Sequence, residues 1–188
     1  MRSLLRRMVR DEQQTALLVT HSALDALVLA DRVVVLTDGR VVEQGPTREV
    51  LARPRSAFTA RIAGLDLVPG VAAVDGLRTA DGTSVAGRVD GVAAGEPAVA
   101  VFPPSAVAVF AEEPKGSPRN VFRVLLAAIE PREDVVRLRA AAPPGAPAWL
   151  DGLAADVTPA AVADLGAEPG TQLWFAVKAA ETAVYPAR

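Results

Sequence analysis

The chain holds one histidine, His21, and no cysteine. Thiolate metal sites and disulfides are therefore excluded, and a zinc ion would need several carboxylates around a lone imidazole, so no metal site is expected. His21 follows a short apolar run, Ala16-Leu17-Leu18-Val19, and precedes Ser22, a residue type that caps helices. At the end of a core strand, an imidazole can reach the terminal phosphate of a bound nucleotide and the attacking water. It would polarise the phosphate and help hold the water in line. The plainer alternative is a polar strand end beside a helix start. Phosphoryl transfer needs more than a histidine, and the rest is missing from these residues. There is no Gly-x-x-x-x-Gly-Lys-Ser/Thr, hence no loop of backbone N–H groups and lysine to cradle phosphates. Hydrolysis of a nucleotide by this chain alone is not expected.

Bulk properties bound the rest. With 188 residues, 51% of them hydrophobic, the chain can pack one domain or two small ones. Aromatics make up 4%, so Val, Leu and Ala must build the core. The net charge of -2 and the interspersed signs argue against nucleic acid as a partner. Arg2, Arg6, Arg7 and Arg10 open the chain, but Asp11-Glu12-Gln13-Gln14 follows where a signal peptide would be apolar. No stretch reaches the roughly 18 uninterrupted apolar residues of a membrane span. The chain reads as soluble, with any membrane association supplied by a partner.

The elements follow from periodicity and turn chemistry. Leu4, Leu5, Met8 and Val9 recur at helical spacing within Ser3–Gln14. A strand is expected at Ala16–Val19, then a helix at Ala23–Ala30 capped by Ser22. Val33–Leu36 reads as a strand, Asp38-Gly39 as a hairpin turn and Val41-Val42 as the start of the return strand. Thr47 is a candidate cap for a helix through Leu51, and Ser56 for another over Ala57–Ala63 that ends at Gly64. This alternation of helix and strand is the α/β pattern. After Gly64 the composition changes to short Val/Ala runs between Asp75-Gly76, Asp81-Gly82, Asp90-Gly91 and Gly95-Glu96-Pro97. Glu112–Pro118 reads as a linker. Strands are expected at Val121–Ile129, Val135–Ala140, Leu153–Val157 and Thr171–Lys178. A short helix starting at Thr158-Pro159 and ending near Leu165-Gly166 completes a small strand-rich barrel.

Two stretches resemble known families. Ala16–His21, Ala26-Leu27, Ala30-Asp31-Arg32-Val33 and Asp38-Gly39-Arg40-Val41-Val42-Glu43-Gln44-Gly45 resemble, in order and spacing, the end of an ABC-transporter ATPase domain. In that family these are the last core strand, the switch histidine, a strand and a hairpin. Glu49–Pro54 and Phe58–Gly64 resemble its closing helices. The resemblance makes His21 the switch histidine of an intact subunit, and Ser22 stands where the family usually has an acidic residue. The Gly-rich signature sequence and the strand ending in Asp-Glu are absent here, and Met1 falls about where the helix after them would begin. The expectation is a fragment of a longer subunit or a truncated gene, with ATP and Mg²⁺ belonging to the intact parent only.

The second resemblance begins at Gly116-Ser117-Pro118-Arg119-Asn120-Val121-Phe122, which is similar to the opening of the molybdate-binding Mop/TOBE family. Ala155-Asp156-Val157-Thr158-Pro159, Leu165-Gly166, Pro169-Gly170 and Val177-Lys178-Ala179-Ala180 match its later landmarks. The preceding Val99–Phe110 resembles the connector common before this domain in transporter ATPases. A tetrahedral dianion needs hydroxyls, N–H groups and a cation converging on it. The resemblance assigns Ser117, Arg119, Asn120 and Lys178 to that task. Only Lys115 and Lys178 are lysines. The alternative is that Arg119 and Lys178 are ordinary surface charges. Ala180 replaces the hydroxyl residue usual in the family, the loss of one neutral donor.

The expected organisation is a C-terminal fragment of an ABC ATPase domain over 1–64, a strand-rich connector over 65–116 and a Mop/TOBE domain over 117–188. The fold class is an α/β remnant followed by an all-β, OB-like barrel. The resemblance implies an ATP-binding subunit of an importer for molybdate or a related oxyanion, peripheral on the inner face of the cell membrane. Its partners would be a membrane permease and a second copy of the subunit. The competing expectation is a free-standing cytosolic oxyanion-binding or sensor module.

Overall fold

The computed structural model describes residues 15–188; the helix expected at Ser3–Gln14 lies outside them. The chain divides into two compact units, 1–64 and 65–188. Among the described residues, no helix is long and apolar enough to cross a membrane.

The first unit contains α1 (Ala23–Leu29), β1 (Arg32–Thr37), β2 (Arg40–Pro46), α2 (Thr47–Ala52) and α3 (Ala57–Ala63). Ser22 accepts the Asp25 N–H at 3.2 Å and caps α1, as its residue type predicts. Strands β1 and β2 form an antiparallel hairpin closed by Asp38 (φ 50°) and Gly39 (φ 73°). Two successive left-handed residues are what a two-residue hairpin loop requires, and Asp-Gly supplies them at low cost. Ser56 caps α3 by accepting the Thr59 N–H at 3.1 Å, and Gly64 (φ 76°) ends it.

Two expectations fail here. Ala16–Val19 forms no strand, and Leu17 and Val19 stay 95% and 91% exposed. A strand is held by hydrogen bonds to a neighbour, and the only sheet in this unit's described residues is the β1–β2 pair. Nor does Thr47 cap α2: it is the first helical residue and buried. Its hydroxyl donates to Ala30 O at 2.7 Å and its N–H to Asp31 O at 3.0 Å, tying α2 to the end of α1.

The second unit is almost entirely β. One sheet has five strands in the order β11-β10-β9-β12-β8: β8 (Val107–Phe110), β9 (Asn120–Pro131), β10 (Val136–Ala141), β11 (Ala154–Val157) and β12 (Gln172–Val177). The other has six in the order β5-β4-β3-β7-β13-β6: β3 (Asp66–Ala73), β4 (Gly76–Arg78), β5 (Ser84–Ala86), β6 (Arg88–Val89), β7 (Pro97–Phe102) and β13 (Ala183–Pro186). Helix α4 (Pro159–Asp164) is capped by Thr158, which accepts the Ala161 N–H at 3.2 Å. Val68, Leu77, Phe102, Leu126, Leu138, Leu173, Phe175 and Val184 from both sheets share one core. The 12-residue β9 pairs with β12 over its first half and β10 over its second, with a register shift at Arg139/Ala140. A long strand serving two neighbours through a bulge is a usual way to curl a sheet toward a barrel.

The connector and the following region do not separate at residue 116. Pro103-Pro104 breaks the segment 97–110 into β7 and β8, which enter different sheets. In return β13, near the end of the chain, pairs with β7. Each segment thus lends a strand to the other's sheet, and 65–188 is one compact unit.

Candidate functional site

Antiparallel β9 and β12 pair Asn120 with Val177, so Arg119, which precedes β9, and Lys178, which follows β12, flank the same end of this strand pair. Residues 59 positions apart in sequence are thereby brought to one end of one sheet. Ser117, Arg119 and Lys178 are exposed there, and their side chains have no hydrogen-bond or ion-pair partner among the described residues. Exposed cations gathered at one end of a strand pair favour an anion there. Lys115 lies in the irregular segment after β8 and is also exposed.

Asn120 behaves differently from the other three. It is 1% exposed, and its amide is fully engaged within the fold. Its Oδ1 accepts the Ala86 N–H at 2.7 Å, while Nδ2 donates to Ala86 O at 2.9 Å and to Thr182 Oγ1 at 3.4 Å. The two bonds to Ala86 mimic a β-bridge, fastening β9 to β5 of the other sheet. The chain just after Ala86 also passes close to residue 182, which needs a glycine at 87: a Cβ there would sit 2.9 Å from Thr182 O.

Thr182, which the sequence did not single out, is completely buried and donates its hydroxyl to Lys178 O at 3.3 Å. The Glu181 N–H donates to the same carbonyl at 3.0 Å, closing the 3-10 turn Ala179–Glu181 that follows Lys178. The hydroxyl missing at Ala180 therefore has a counterpart two residues on, aimed into the fold.

A second polar cluster also escaped the sequence reading. Arg137 on β10 and Asp156 on β11 pair bidentately, with both N–O distances 2.7 Å. Hydrogen bonding to Arg137 holds the Asp156 carboxyl below the usual range. Arg139 donates to Glu130 at 3.1 Å. Beside them Asp66 of β3 is buried: Oδ1 accepts the Ala154 N–H at 2.9 Å, and Oδ2 has no partner among the described residues. Burial pushes this carboxyl up to about 7, against the smaller opposing pull of the Ala154 N–H and of Arg137 and Arg139. These groups join β3, β10 and β11. They are buried or already paired, and nothing aims them at a ligand.

His21 is exposed, in the bend before α1. Among the described residues there is no group of three or more His, Cys, Asp or Glu side chains that could hold a metal.

Residues 116–184 match the TOBE domain family. This chain carries a TOBE domain. The match takes in Ser117, Arg119, Asn120, Lys178 and Thr182 together. Along nearly its whole length the chain is related to the C-terminal part of import ATP-binding subunits. It is 45% identical over 188 residues to a molybdenum import ATP-binding protein of Mycobacterium tuberculosis, covering 99% of this chain and 50% of that protein. It is 32% identical over 180 residues to a molybdate/tungstate import ATP-binding protein of Pyrococcus horikoshii, covering 92% of this chain and 47% of that one. The chain thus spans about half the length of these curated relatives. A solved cytoplasmic molybdate-binding protein, ModG, aligns at 26% identity with a TM-score of 0.43, covering 50% of this chain and 64% of that chain.

Proposed function

We propose that the chain is part of an ATP-binding subunit of an ABC importer for molybdate or a related oxyanion, and that its TOBE domain binds the oxyanion and pairs with a second copy. The observation that supports this reading is that Arg119 and Lys178, exposed and without side-chain partners among the described residues, flank the end of β9 and β12 where Asn120 pairs with Val177, with Ser117 two residues before Arg119. Exposed cations gathered at one end of a sheet attract a counter-ion. A tetrahedral dianion supplies one, with the Ser117 hydroxyl as a further donor. Asn120 contributes by fixing this end of β9 rather than by touching the anion.

Residues 15–64 are read as the trailing edge of the ATPase domain. Leu17, Val19, Leu24, Leu27, Val34, Leu36 and Val41 are exposed, and supporting the reading is the kinship with subunits about twice as long, whose remaining part would cover them. In the assembled subunit His21 would act as the switch histidine on ATP with Mg²⁺. The phosphate-binding parts would come from outside these residues. A membrane permease would be the partner, with the subunit on the inner face of the membrane.

Calorimetry of the full chain with molybdate tests the anion reading. Saturable binding is expected, weakening as salt rises because screening acts on exposed charges. Lys178→Ala weakens it roughly tenfold, as for loss of one charge-assisted hydrogen bond; Lys115→Ala leaves it nearly unchanged, and Ala180→Ser strengthens it. No heat at millimolar molybdate, or equal losses from the two lysine changes, leaves only an interaction domain.

A further inference from the structure

We infer that Asn120 and Thr182 form a positioning relay that sets the Lys178 main chain, and with it the Lys178 side chain, for the anion without either residue touching it. The inference rests on the anion reading for its purpose but on separate bonds for its existence. Both residues are buried, at 1% and 0% exposure, so neither faces an incoming ion. Their hydrogen-bonding capacity is also committed. A neutral amide offers one oxygen and two N–H groups, and all of these in Asn120 are engaged by Ala86 and Thr182. The Thr182 hydroxyl has a single proton, and it goes to Lys178 O.

The chain of contacts has a direction. Ala86 on β5 fixes the Asn120 amide; the amide orients the Thr182 hydroxyl; the hydroxyl holds the carbonyl of Lys178. From the far side the Arg88 N–H donates to Thr182 O at 2.9 Å, so residue 182 is held at both its side chain and its carbonyl. Lys178 leaves β12 immediately after Val177, the partner of Asn120. Without the relay, the Lys178 carbonyl would keep only the Glu181 N–H, while residue 182 would stay held by the Arg88 N–H and by its own N–H to Ala179 O. A lysine side chain is long and flexible, so confining its main chain reduces the ordering needed when the anion binds.

The test compares Thr182→Val, which keeps the shape and removes the hydroxyl, with Thr182→Ser, which keeps the hydroxyl. In the full chain, Thr182→Val is expected to weaken molybdate binding about tenfold while the thermal transition stays cooperative, and Thr182→Ser to restore most of the affinity. In a Lys178→Ala background Thr182→Val should cost little more, because the relay acts only through Lys178. Amide hydrogen exchange without molybdate is the second readout. Thr182→Val should speed exchange at Glu181 and Thr182 and leave β9 and β12 protected. Faster exchange in a chain whose wild type binds no molybdate would refute the anion reading and keep the relay. Wild-type binding with neither affinity nor exchange altered by Thr182→Val would overturn the relay, as would equal losses in the two lysine backgrounds. If Thr182→Val does not fold, Thr182→Ala is read the same way, with Thr182→Ser as its rescue.

Discussion

In residues 65–188, Phe102, Phe175, Leu126, Leu138 and Leu173 are at most 2% exposed, whereas in residues 15–64 Leu17 and Val19 exceed 90% exposure. The two regions are similar in kind, both rich in Val, Leu and Ala. They differ in whether neighbouring strands are available. The second unit has eleven strands in two sheets around a shared core. Among the described residues, its companion has one hairpin and three short helices, and their buried apolar side chains are Val50 and Ala60. A lone two-stranded hairpin is marginal in water. Apolar sequence makes a core only where the topology supplies a second surface.

The largest expected consequence is in local stability. Amides of the β1–β2 hairpin should exchange at least roughly a thousandfold faster than those of β9 and β12, because opening the hairpin exposes little that is not already exposed. Uniform strong protection across both units would erase the contrast. Next in size is a core truncation. Phe175→Ala should cost about 3–5 kcal/mol and lower the main thermal transition. Val50→Ala should leave that transition where it is. Equal effects would mean that the two units melt as one.

A smaller effect separates the units by pH. The Asp66 carboxyl is raised from 3.8 to about 7 in the folded chain, so the folded state binds its proton more tightly than the unfolded state. Between these values the native form is protonated and the unfolded form is not. Stability therefore falls as pH rises from about 4 to about 7 and levels off above. The size is on the order of a few kcal/mol. Asp66→Asn retains an oxygen for the Ala154 N–H and should flatten this slope, gaining more stability at pH 8 than at pH 5. Denaturant unfolding followed across that range, with a signal from residues 65–188, checks it. An unchanged slope in Asp66→Asn would assign the pH dependence to other groups.

Much of the local structure was legible in the sequence. Ser22, Ser56 and Thr158 cap the helices their types announced, Asp38-Gly39 turns the hairpin, and Gly64 ends α3. β9 to β12 lie where the apolar runs placed them. Each of these is decided by bonds that span a few residues, so residue type and spacing are enough. The cations of the candidate site, Arg119 and Lys178, were singled out by the motifs that flank them, and their role is a proposal.

What needed the tertiary structure depends on pairing across long stretches of chain. Ala16–Val19 has strand-like composition, but no neighbour among the described residues hydrogen-bonds it into a sheet. Thr47 has the type of a cap, but the Ala30 carbonyl takes its hydroxyl instead. The exchange of β8 and β13 between sheets cannot be read from periodicity, which reports which face of a strand is buried and not which strand lies beside it. Asn120 looked like a ligand until Ala86, 34 residues away, was found to occupy its amide. Asp66 was not singled out by its sequence neighbours; the Ala154 N–H that binds it lies 88 residues on. Residue type sets what a side chain can bond; the fold decides which partner reaches it first.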